Sequence, residues 1–367
     1  MIQVIESTAE LADFCRKAAR NDWVVVDTEF MRRQSYRSRL CLVQLATPQG
    51  EGVLVDCLAA LDLQPLWDML ADDSTLKVLH GPRQDLEIFY QLTSQLPSPL
   101  FDTQLASMLC GYEDAMGLTV LVKDLLGVDM DKGDRLSDWS QRPLRLGQQR
   151  YALADVVRLA EIYPLVRARL KDYGREEWMD EEMARLSDRR FYASDVDSSW
   201  RRLCGVRQDR RFLARLRAAC IWREALAEQR DSPRSHVLND NLLLLILKAP
   251  RGEAEHMLRH ARKKRPFSDD TIEEFFDALK QADALPLAEC PYPEDMRFMD
   301  DRQTRCYARL RECLTSICAE KNVSASLVAR ATHLRLLACG AQREFPFLRG
   351  WRYTLFGQDA LELVKRR

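Results

Sequence analysis

The segment that most constrains this chain is residues 23–30, in which a continuous apolar run ends in two carboxylates, Asp27 and Glu29. An uninterrupted run of this kind is typical of a strand buried on both faces, and residues two apart on a strand point to the same side. Open α/β sheets bind their ligands at the carboxyl ends of the strands. The segment therefore predicts an α/β fold with two acids at a functional edge of its sheet.

The two carboxylates also indicate a bound cation, because each raises the pKa of the other unless a positive charge lies near both. Oxygen ligands favour Mg²⁺ or Mn²⁺ over zinc, which prefers nitrogen and sulfur. The alternative is that Asp27 and Glu29 only cap the loop that follows. More acids at matching positions are needed to decide between the two.

Two later segments supply such acids. Asp85 falls in the opening turn of a predicted helix, just beyond a short strand and the break at Gly81-Pro82. Tyr151 and Asp155 are four apart on another predicted helix and so share one face, although an Asp that simply faces water is the alternative.

Together the predicted acids suit a pair of metal ions, which can activate a water and stabilise the leaving oxygen of a phosphoryl displacement. The four proposed ligands are Asp27, Glu29, Asp85 and Asp155. Tyr151 would orient the attacking water. Asp102 also ends an element, but a helix N-cap explains it fully.

Length and composition limit the class of protein. At 367 residues, with 46% hydrophobic and 30% charged residues, the chain predicts a soluble globular protein of two or three domains. No apolar run approaches the roughly 18 residues that cross a bilayer, and no leader pattern opens the chain, so we expect a cytoplasmic protein with no membrane partner. Eleven scattered cysteines without a C-x-x-C pair predict reduced thiols. We expect a monomer. No nucleotide cofactor is expected, since no phosphate-binding G-x-x-x-x-G-K-[ST] loop occurs.

Charge is unevenly distributed along the chain. Residues 1–172 carry 19 Lys and Arg against 25 Asp and Glu, whereas residues 201–265 carry 17 against 7. Such a basic segment indicates contact with nucleic-acid phosphates, the alternative being a solvated helix face. The candidate residues are Arg201, Arg202, Arg207, Arg210, Arg211, Arg215, Arg217 and the run Arg262, Lys263, Lys264 and Arg265.

Three motifs resemble those of the DEDD 3′→5′ exonucleases in order and spacing. They are Asp27-Thr28-Glu29-Phe30, His80 with Asp85-Leu86-Glu87, and Tyr151-x-x-x-Asp155. The tyrosine marks the tyrosine subtype, since the histidine subtype would need histidine at position 150, where this chain has arginine. Within that superfamily the chain most resembles the bacterial ribonuclease D family over nearly its whole length.

The resemblance implies an α/β RNase H-like exonuclease domain, with a mixed sheet flanked by helices, followed by two all-α HRDC-type helical bundles. We expect an exonuclease domain at 1–172, a helical linker at 173–205, an HRDC domain at 206–285 and a second HRDC-like domain at 295–367. Residues 326–337 loosely echo residues 235–245, which indicates a weak internal repeat.

The resemblance also implies an activity. It predicts metal-dependent hydrolysis from RNA 3′ ends, with tRNA precursors and other structured RNA as substrates and 5′-mononucleotides as products. Asp27 would bridge both metals, Glu29 and Asp155 would hold the nucleophile-side ion, and Asp85 would act on the other ion through water. Thr28 and Phe30 would flank the terminal nucleotide.

Some alternatives stay open. His80 either approaches the substrate or packs beneath the site. The same chemistry on DNA is a second reading of the motifs, because contacts to a 2′-hydroxyl leave no readable motif. A non-catalytic nucleic-acid-binding scaffold is a third.

Overall fold

The structure, a computed structural model, describes residues 2–33, 35–112, 115–131, 133–192, 196–204, 209–261, 266–291, 299–341 and 343–365, without the side chains of residues 196–198. Six strands form one sheet. They are β1 (Val4–Ile5), β2 (Trp23–Met31), β3 (Arg39–Ala46), β4 (Gly52–Asp56), β5 (Leu76–Leu79) and β6 (Leu100–Asp102).

The sheet is mixed, in the order β1-β4-β3-β2-β5-β6. Strands β2, β3 and β4 pair antiparallel as a meander, whereas β5 runs parallel to β2, β6 runs parallel to β5, and β1 runs parallel to β4. The predicted mixed sheet is therefore confirmed. Strand β2 lies between β3, which pairs with its residues 25–31, and β5, which pairs only with its residues 23–25, so the carboxyl end of β2 extends beyond β5.

Helices cover both faces of this sheet. They are α1 (Thr8–Ala18), α2 (Gln64–Ala71), α3 (Arg83–Thr93), α4 (Thr103–Leu109), α5 (Leu118–Leu126), α6 (Leu146–Asp172) and α7 (Glu176–Leu186). Alternate residues of β2 point to opposite faces of the sheet. Val24 and Val26 pack with α1, α2 and α3, whereas Val25 packs in the core that contains α6. Burial on both faces explains why this strand is apolar throughout.

The remaining helices follow in two series. The first comprises α8 (Arg210–Gln229), α9 (Arg234–Val237), α10 (Asp240–Lys248), α11 (Arg251–His260) and α12 (Asp269–Ala284). The second comprises α13 (Asp301–Lys321), α14 (Ala325–Val328), α15 (Ala331–Ala338), α16 (Gly350–Arg352) and α17 (Gln358–Lys365). Both open with a long helix, a four-residue helix and a helix of eight or nine residues, which gives the predicted echo a structural counterpart.

The chain divides into two compact units. The first contains Met1–Met31, Arg39–Ala193 and Asp300–Arg367, and the second contains Arg32–Ser38 and Ser194–Met299. Helices α13 to α17 thus belong to the unit that contains the sheet. The assignment of 206–285 and 295–367 as HRDC-type domains stays a prediction.

Unit two has its own apolar core, to which α8 contributes four buried residues at helical spacing: Leu213, Leu216, Ala219 and Cys220. Helix α10 is less buried than its apolar sequence predicts, since 55% of Leu245 is exposed. All eleven cysteines are thiols in the structure, and seven of them are buried. Within the described residues, no helix is both long enough and apolar enough to cross a membrane.

Candidate active site

The predicted acids Asp27 and Glu29 lie at the carboxyl end of β2, on the face that α6 covers. Both are half-buried, in contrast to the fully buried valines before them. The pairing of β2 with β3 shifts register between Glu29 and Phe30, which leaves Cys41 of β3 as an extra residue. Bulges of this kind bend a strand and redirect its side chains. This one stands directly beside Glu29.

Asp85 lies in the first turn of α3, where the sequence predicted it. The chain turns from β5 into this helix through Gly81, whose φ of +62° is left-handed and favours glycine. The hydroxyl of Thr28 donates to the carboxylate of Asp85, so the residue between the two acids of β2 orients the third acid.

Tyr151 and Asp155 lie one turn apart on α6, and the tyrosine hydroxyl bonds to the aspartate carboxylate. The first turn of α6 is capped by Gln148: the main-chain N–H of Arg145 donates to Gln148 Oε1 at 3.0 Å. The ring of Tyr151 packs against buried Trp139, with centroids 6.1 Å apart. The predicted pairing of Tyr151 with Asp155 on one helix face is therefore what the structure has.

The four carboxylates are close enough to perturb one another. Burial, followed by repulsion from Asp85, Asp155 and Glu29, holds the pKa of Asp27 well above its usual range. Burial and repulsion from Asp155 and Asp85 raise the pKa of Glu29 from its ordinary 4.5 to about 9. Burial raises the pKa of Asp155 to about 7 and also raises that of Asp85. The protein therefore places too little positive charge near these four acids to balance their negative charge.

The donor chemistry fits a magnesium or manganese site, because every candidate ligand is a carboxylate oxygen. Among the described residues, no three histidine, cysteine or acidic side chains stand close enough together to enclose one ion. Mg²⁺ does not require such a preformed group, since waters and substrate phosphates supply part of its coordination. The repulsion among the acids is what a bound cation would relieve.

This arrangement predicts that the metal-free protein loses stability as pH rises from about 6.5 to 8. The unfolded chain ionises its carboxyls near their ordinary values, whereas folded Glu29 and Asp155 retain protons up to about 9 and 7. The folded state thus binds more protons in this window, and stability falls with rising pH. Burial lowers the pKa of His80 to about 4 and that of Lys77 to about 8, so both groups bind fewer protons in the folded state and oppose the trend near the two ends of the window. The protons held by Asp27, Glu29 and Asp155 outweigh them.

The measurement is the melting temperature in EDTA across this pH range. Adding Mg²⁺ or Mn²⁺ is the control, and we expect it to raise the melting temperature most at the higher pH, because a cation stabilises the ionised carboxylates. A melting temperature in EDTA that rises or stays level from pH 6.5 to 8 would contradict the prediction.

The three predicted substrate-contacting residues have internal roles in the structure. Nε2 of His80 donates to the carbonyl oxygen of Met116, and Nδ1 lies 2.9 Å from the hydroxyl of Thr103, which favours the packing alternative for His80. The ring of Phe30 packs with the core on the α1–α3 side of the sheet. Contact of His80, Phe30 or Thr28 with a nucleotide stays a prediction.

Sequence reasoning missed Arg135, in the loop between α5 and α6. Its guanidinium lowers the pKa values of Glu29 and Asp155, partly offsetting the effect of burial. The adjacent Asp134 anchors this turn to Arg145 at 2.7 Å. The sequence contains many arginines, and nothing in the local pattern around Arg135 distinguishes it from the others.

A second missed residue, Arg142, holds the same loop against the sheet. It makes a two-pronged ion pair with buried Asp56 at the end of β4, at 2.5 and 2.6 Å. It also donates to the carbonyl of Cys41, the extra residue of the bulge, at 2.8 Å. The ion pair lowers the pKa of Asp56, although burial opposes it. Arg142 therefore ties the loop to the strand positions beside Glu29.

The basic segment of unit two is partly used inside that unit. Arg210 donates to the carbonyl oxygens of Cys290 and Ala288, Arg211 donates to that of Asp283 at 3.0 Å, and Arg215 lies 3.7 Å from the Asp283 carboxylate. These contacts hold α8 against the end of α12. Arginines engaged in this way are less available to bind phosphates, so fewer members of the predicted set are candidates for RNA contact.

The other members of the predicted phosphate-binding set either make different contacts or lie outside the described residues. The guanidinium of Arg201 lies over the ring of Trp200, and Arg202 is 3.8 Å from Asp240. Arg217 is half-buried on α8. Arg207 and the run at 262–265 lie outside the described residues. An RNA contact by the segment stays a prediction.

Comparison with known proteins decides the family. A family model described as a 3′-5′ exonuclease matches residues 2–171. Ribonuclease D of Zymomonas mobilis is 36% identical over 366 residues, which cover 99% of this chain and 94% of that protein. The chain belongs to the ribonuclease D family. Ribonuclease D of Granulibacter bethesdensis is 38% identical over 362 residues, which cover 98% of this chain and 92% of the relative.

The ribonuclease D fold extends over the whole chain. The crystal structure of Escherichia coli RNase D, an exoribonuclease involved in structured RNA processing, matches with a TM-score of 0.84 at 26% identity, covering 100% of this chain and 99% of that one. The predicted fold class, a mixed RNase H-like sheet followed by helical structure, is confirmed. This member of the ribonuclease D family is a metal-dependent 3′→5′ exoribonuclease that acts on RNA 3′ ends.

Proposed function

We propose that this member of the ribonuclease D family removes extra nucleotides from the 3′ ends of tRNA precursors and other structured RNA, and releases 5′-mononucleotides. The observation that supports the chemistry most directly is the convergence of four mutually repelling carboxylates with a tyrosine hydroxyl bonded to one of them. The substrate class rests on the similarity to the Escherichia coli enzyme, which is involved in structured RNA processing.

We propose two divalent ions, Mg²⁺ or Mn²⁺, at this site. Asp27 would contact both ions, Glu29 and Asp155 would hold one, and Asp85 would act on the other through water. Bound there, the ions would supply a deprotonated water and charge stabilisation of the leaving oxygen. The strand and helix ends supply the rigid placement of these carboxylates.

Tyr151 is proposed to orient the attacking water. Burial and the nearby acids raise the pKa of its hydroxyl above the ordinary value, so the group stays protonated at working pH. A protonated hydroxyl that donates to Asp155 retains lone pairs, and these can accept a hydrogen bond from a water. Tyr151 would therefore fix the direction of the water rather than remove its proton.

Thr28 is proposed to position Asp85 in addition to lying near the nucleotide. Its hydroxyl bond to that carboxylate joins β2 to the first turn of α3. The carboxylate is thereby turned toward the strand end that carries Asp27 and Glu29. A residue that acts in this way supports catalysis through another side chain.

The experiment uses a 5′-labelled tRNA bearing extra 3′ nucleotides, together with an unstructured RNA and a DNA strand of matched length, each with Mg²⁺, Mn²⁺ or EDTA. A metal-dependent ladder that shortens the tRNA from its 3′ end, with 5′-mononucleotides released, supports the proposal. Trimming of unstructured RNA alone would contradict the proposed substrate class. Shortening of the DNA alone would contradict the preference for RNA.

Replacing Tyr151 with phenylalanine is expected to lower kcat on this tRNA roughly 100-fold with little change in KM, because misplacing a reacting group has a cost of that order. The ring packing against Trp139 is retained, so folding should be unaffected. Steady-state kinetics with Mg²⁺ measure the effect. Tyr163→Phe, which removes a hydroxyl elsewhere on α6, is the control, and equal losses in the two variants would contradict the role of Tyr151.

A further inference from the structure

Gln44 is a polar residue at the centre of an otherwise apolar strand. It lies on β3 and is fully buried, with 0% exposure. Within the described structure, neither its Nε2 nor its Oε1 has a hydrogen-bond partner. Buried amides are rarely left this way, because two polar groups lose their hydration without replacement. The position therefore requires an explanation beyond packing.

The pairing of the strands places Gln44 beside the carboxylate site. Its cross-strand partner on β2 is Asp27, and its partner on β4 is Leu54. Directly opposed residues on an antiparallel pair share a face, with Cβ atoms roughly 4.5–5.5 Å apart. Along β3 the neighbours on the same face are Leu42 and Ala46. Of these four neighbours, only Asp27 carries polar side-chain atoms.

This face of the sheet is covered by α6. Leu42 and Leu54 pack with Ala152 of that helix, and Ala46 packs in the core that contains Val156. Among these strand neighbours and the α6 residues Ala152 and Val156, only Asp27 offers a side-chain hydrogen-bond partner to the Gln44 amide. A carboxylate that ligates a metal needs its remaining lone pairs satisfied by neighbouring donors.

We propose that Gln44 is a positioning residue of the carboxylate site, whose Nε2 donates to Asp27 when the site holds its metal. The amide would fix the orientation of the carboxylate and would gain a hydrogen-bond partner there. The inference rests on the proposed role of Asp27 as a metal ligand. It assigns a function to a residue outside the three exonuclease motifs.

The test compares Gln44→Met with the wild-type full chain by Mn²⁺ titration, using electron paramagnetic resonance without RNA. Methionine has nearly the length and shape of glutamine but no hydrogen-bond donor. We expect the Kd for Mn²⁺ to rise roughly 10- to 100-fold, the usual effect of losing a partner of a metal ligand. In EDTA the melting temperature should be unchanged or higher, because two unpaired buried polar atoms are removed. Gln44→Leu is a second variant with the same expected results.

Thr75→Val is the matched control. Thr75 is also fully buried with a hydroxyl that has no partner among the described residues, but it precedes β5 at the end of that strand away from the carboxylates. We expect this variant to match the wild type in Mn²⁺ affinity.

Two results would overturn the inference about Gln44. One is a Mn²⁺ Kd within about twofold of the wild type in both Gln44 variants. The other is a marked fall of the melting temperature in EDTA for both Gln44 variants but not for Thr75→Val, which would show that a buried water already satisfies the amide. If the wild type itself binds no Mn²⁺, the proposed metal site fails and this inference with it. If the wild type binds Mn²⁺ and the Gln44 variants bind it equally well, only this inference fails.

Discussion

Replacing Asp27 with asparagine is expected to lower exonuclease activity by about 10³-fold or more. Asn is nearly isosteric with Asp but carries no charge, so the variant should lose affinity for divalent cations. Bound cations contribute several kcal/mol of transition-state stabilisation, which would be lost with them. The same change should raise the melting temperature in EDTA. Burial and repulsion from three neighbouring carboxylates raise the pKa of Asp27, so its ionised form destabilises the folded protein, whereas asparagine carries no charge. RNA trimming with Mg²⁺ and thermal unfolding with EDTA measure the two effects.

Asp102→Asn is the matched control for this variant. Asp102 is a buried carboxylate at the end of β6, and its Oδ1 accepts from the main-chain N–H groups of Gly81 and Gln104 at 2.8 Å each. This confirms the predicted N-cap, a role that asparagine also fills. We therefore expect Asp102→Asn to retain most of the activity. The ligand role of Asp27 would be refuted if Asp27→Asn trimmed RNA at the rate of Asp102→Asn.

Replacing Glu182 with alanine is expected to lower the free energy of unfolding by about 3–5 kcal/mol, because it leaves a buried charge without its partner. Glu182 on α7 is 1% exposed, and its carboxylate contacts the guanidinium of Arg352, which is itself buried. It also accepts from Trp351 Nε1 at 3.2 Å and from Arg185 at 2.7 Å. These bonds join α7 to α16. Urea denaturation followed by circular dichroism measures the loss.

Glu181→Ala supplies the comparison. Glu181 is the adjacent residue on α7 and is exposed, although it accepts from the main-chain N–H of Trp351 at 3.2 Å. An exposed carboxylate contributes less than about 1 kcal/mol. The double variant Glu182→Ala, Arg352→Met should recover part of the loss, since it removes the unpaired cation. Equal losses at positions 181 and 182 would contradict the importance of the buried pair.

The positions of the proposed catalytic acids could be predicted from sequence because each is defined by its local element. An apolar strand that ends in Asp27 and Glu29 is recognisable within eight residues, and the spacing of Tyr151 and Asp155 is a property of any helix. The position of Asp85 follows from a strand, a glycine turn and a proline. Such signals need no knowledge of distant parts of the chain.

The contacts that support these acids depend on distant residues and could not be predicted in this way. Thr28 bonds to Asp85, 57 residues later, and Arg142 bonds to Asp56, 86 residues earlier. No local pattern links such pairs, because tertiary packing brings them together. Gln44 did leave a signal, an amide inside an apolar strand, but only the pairing of β2 with β3 shows that it lies opposite Asp27.

The composition of unit one also bears on how the chain is made. Its larger apolar core combines residues of the sheet, such as Val25 and Val78, with Leu310, Phe347 and Phe356 from the last helices. During synthesis these helices leave the ribosome only after the whole of 194–299. The nuclease core therefore keeps apolar surface uncovered until residues 300–367 have been made, and translation products that stop earlier would expose it to aggregation and proteolysis.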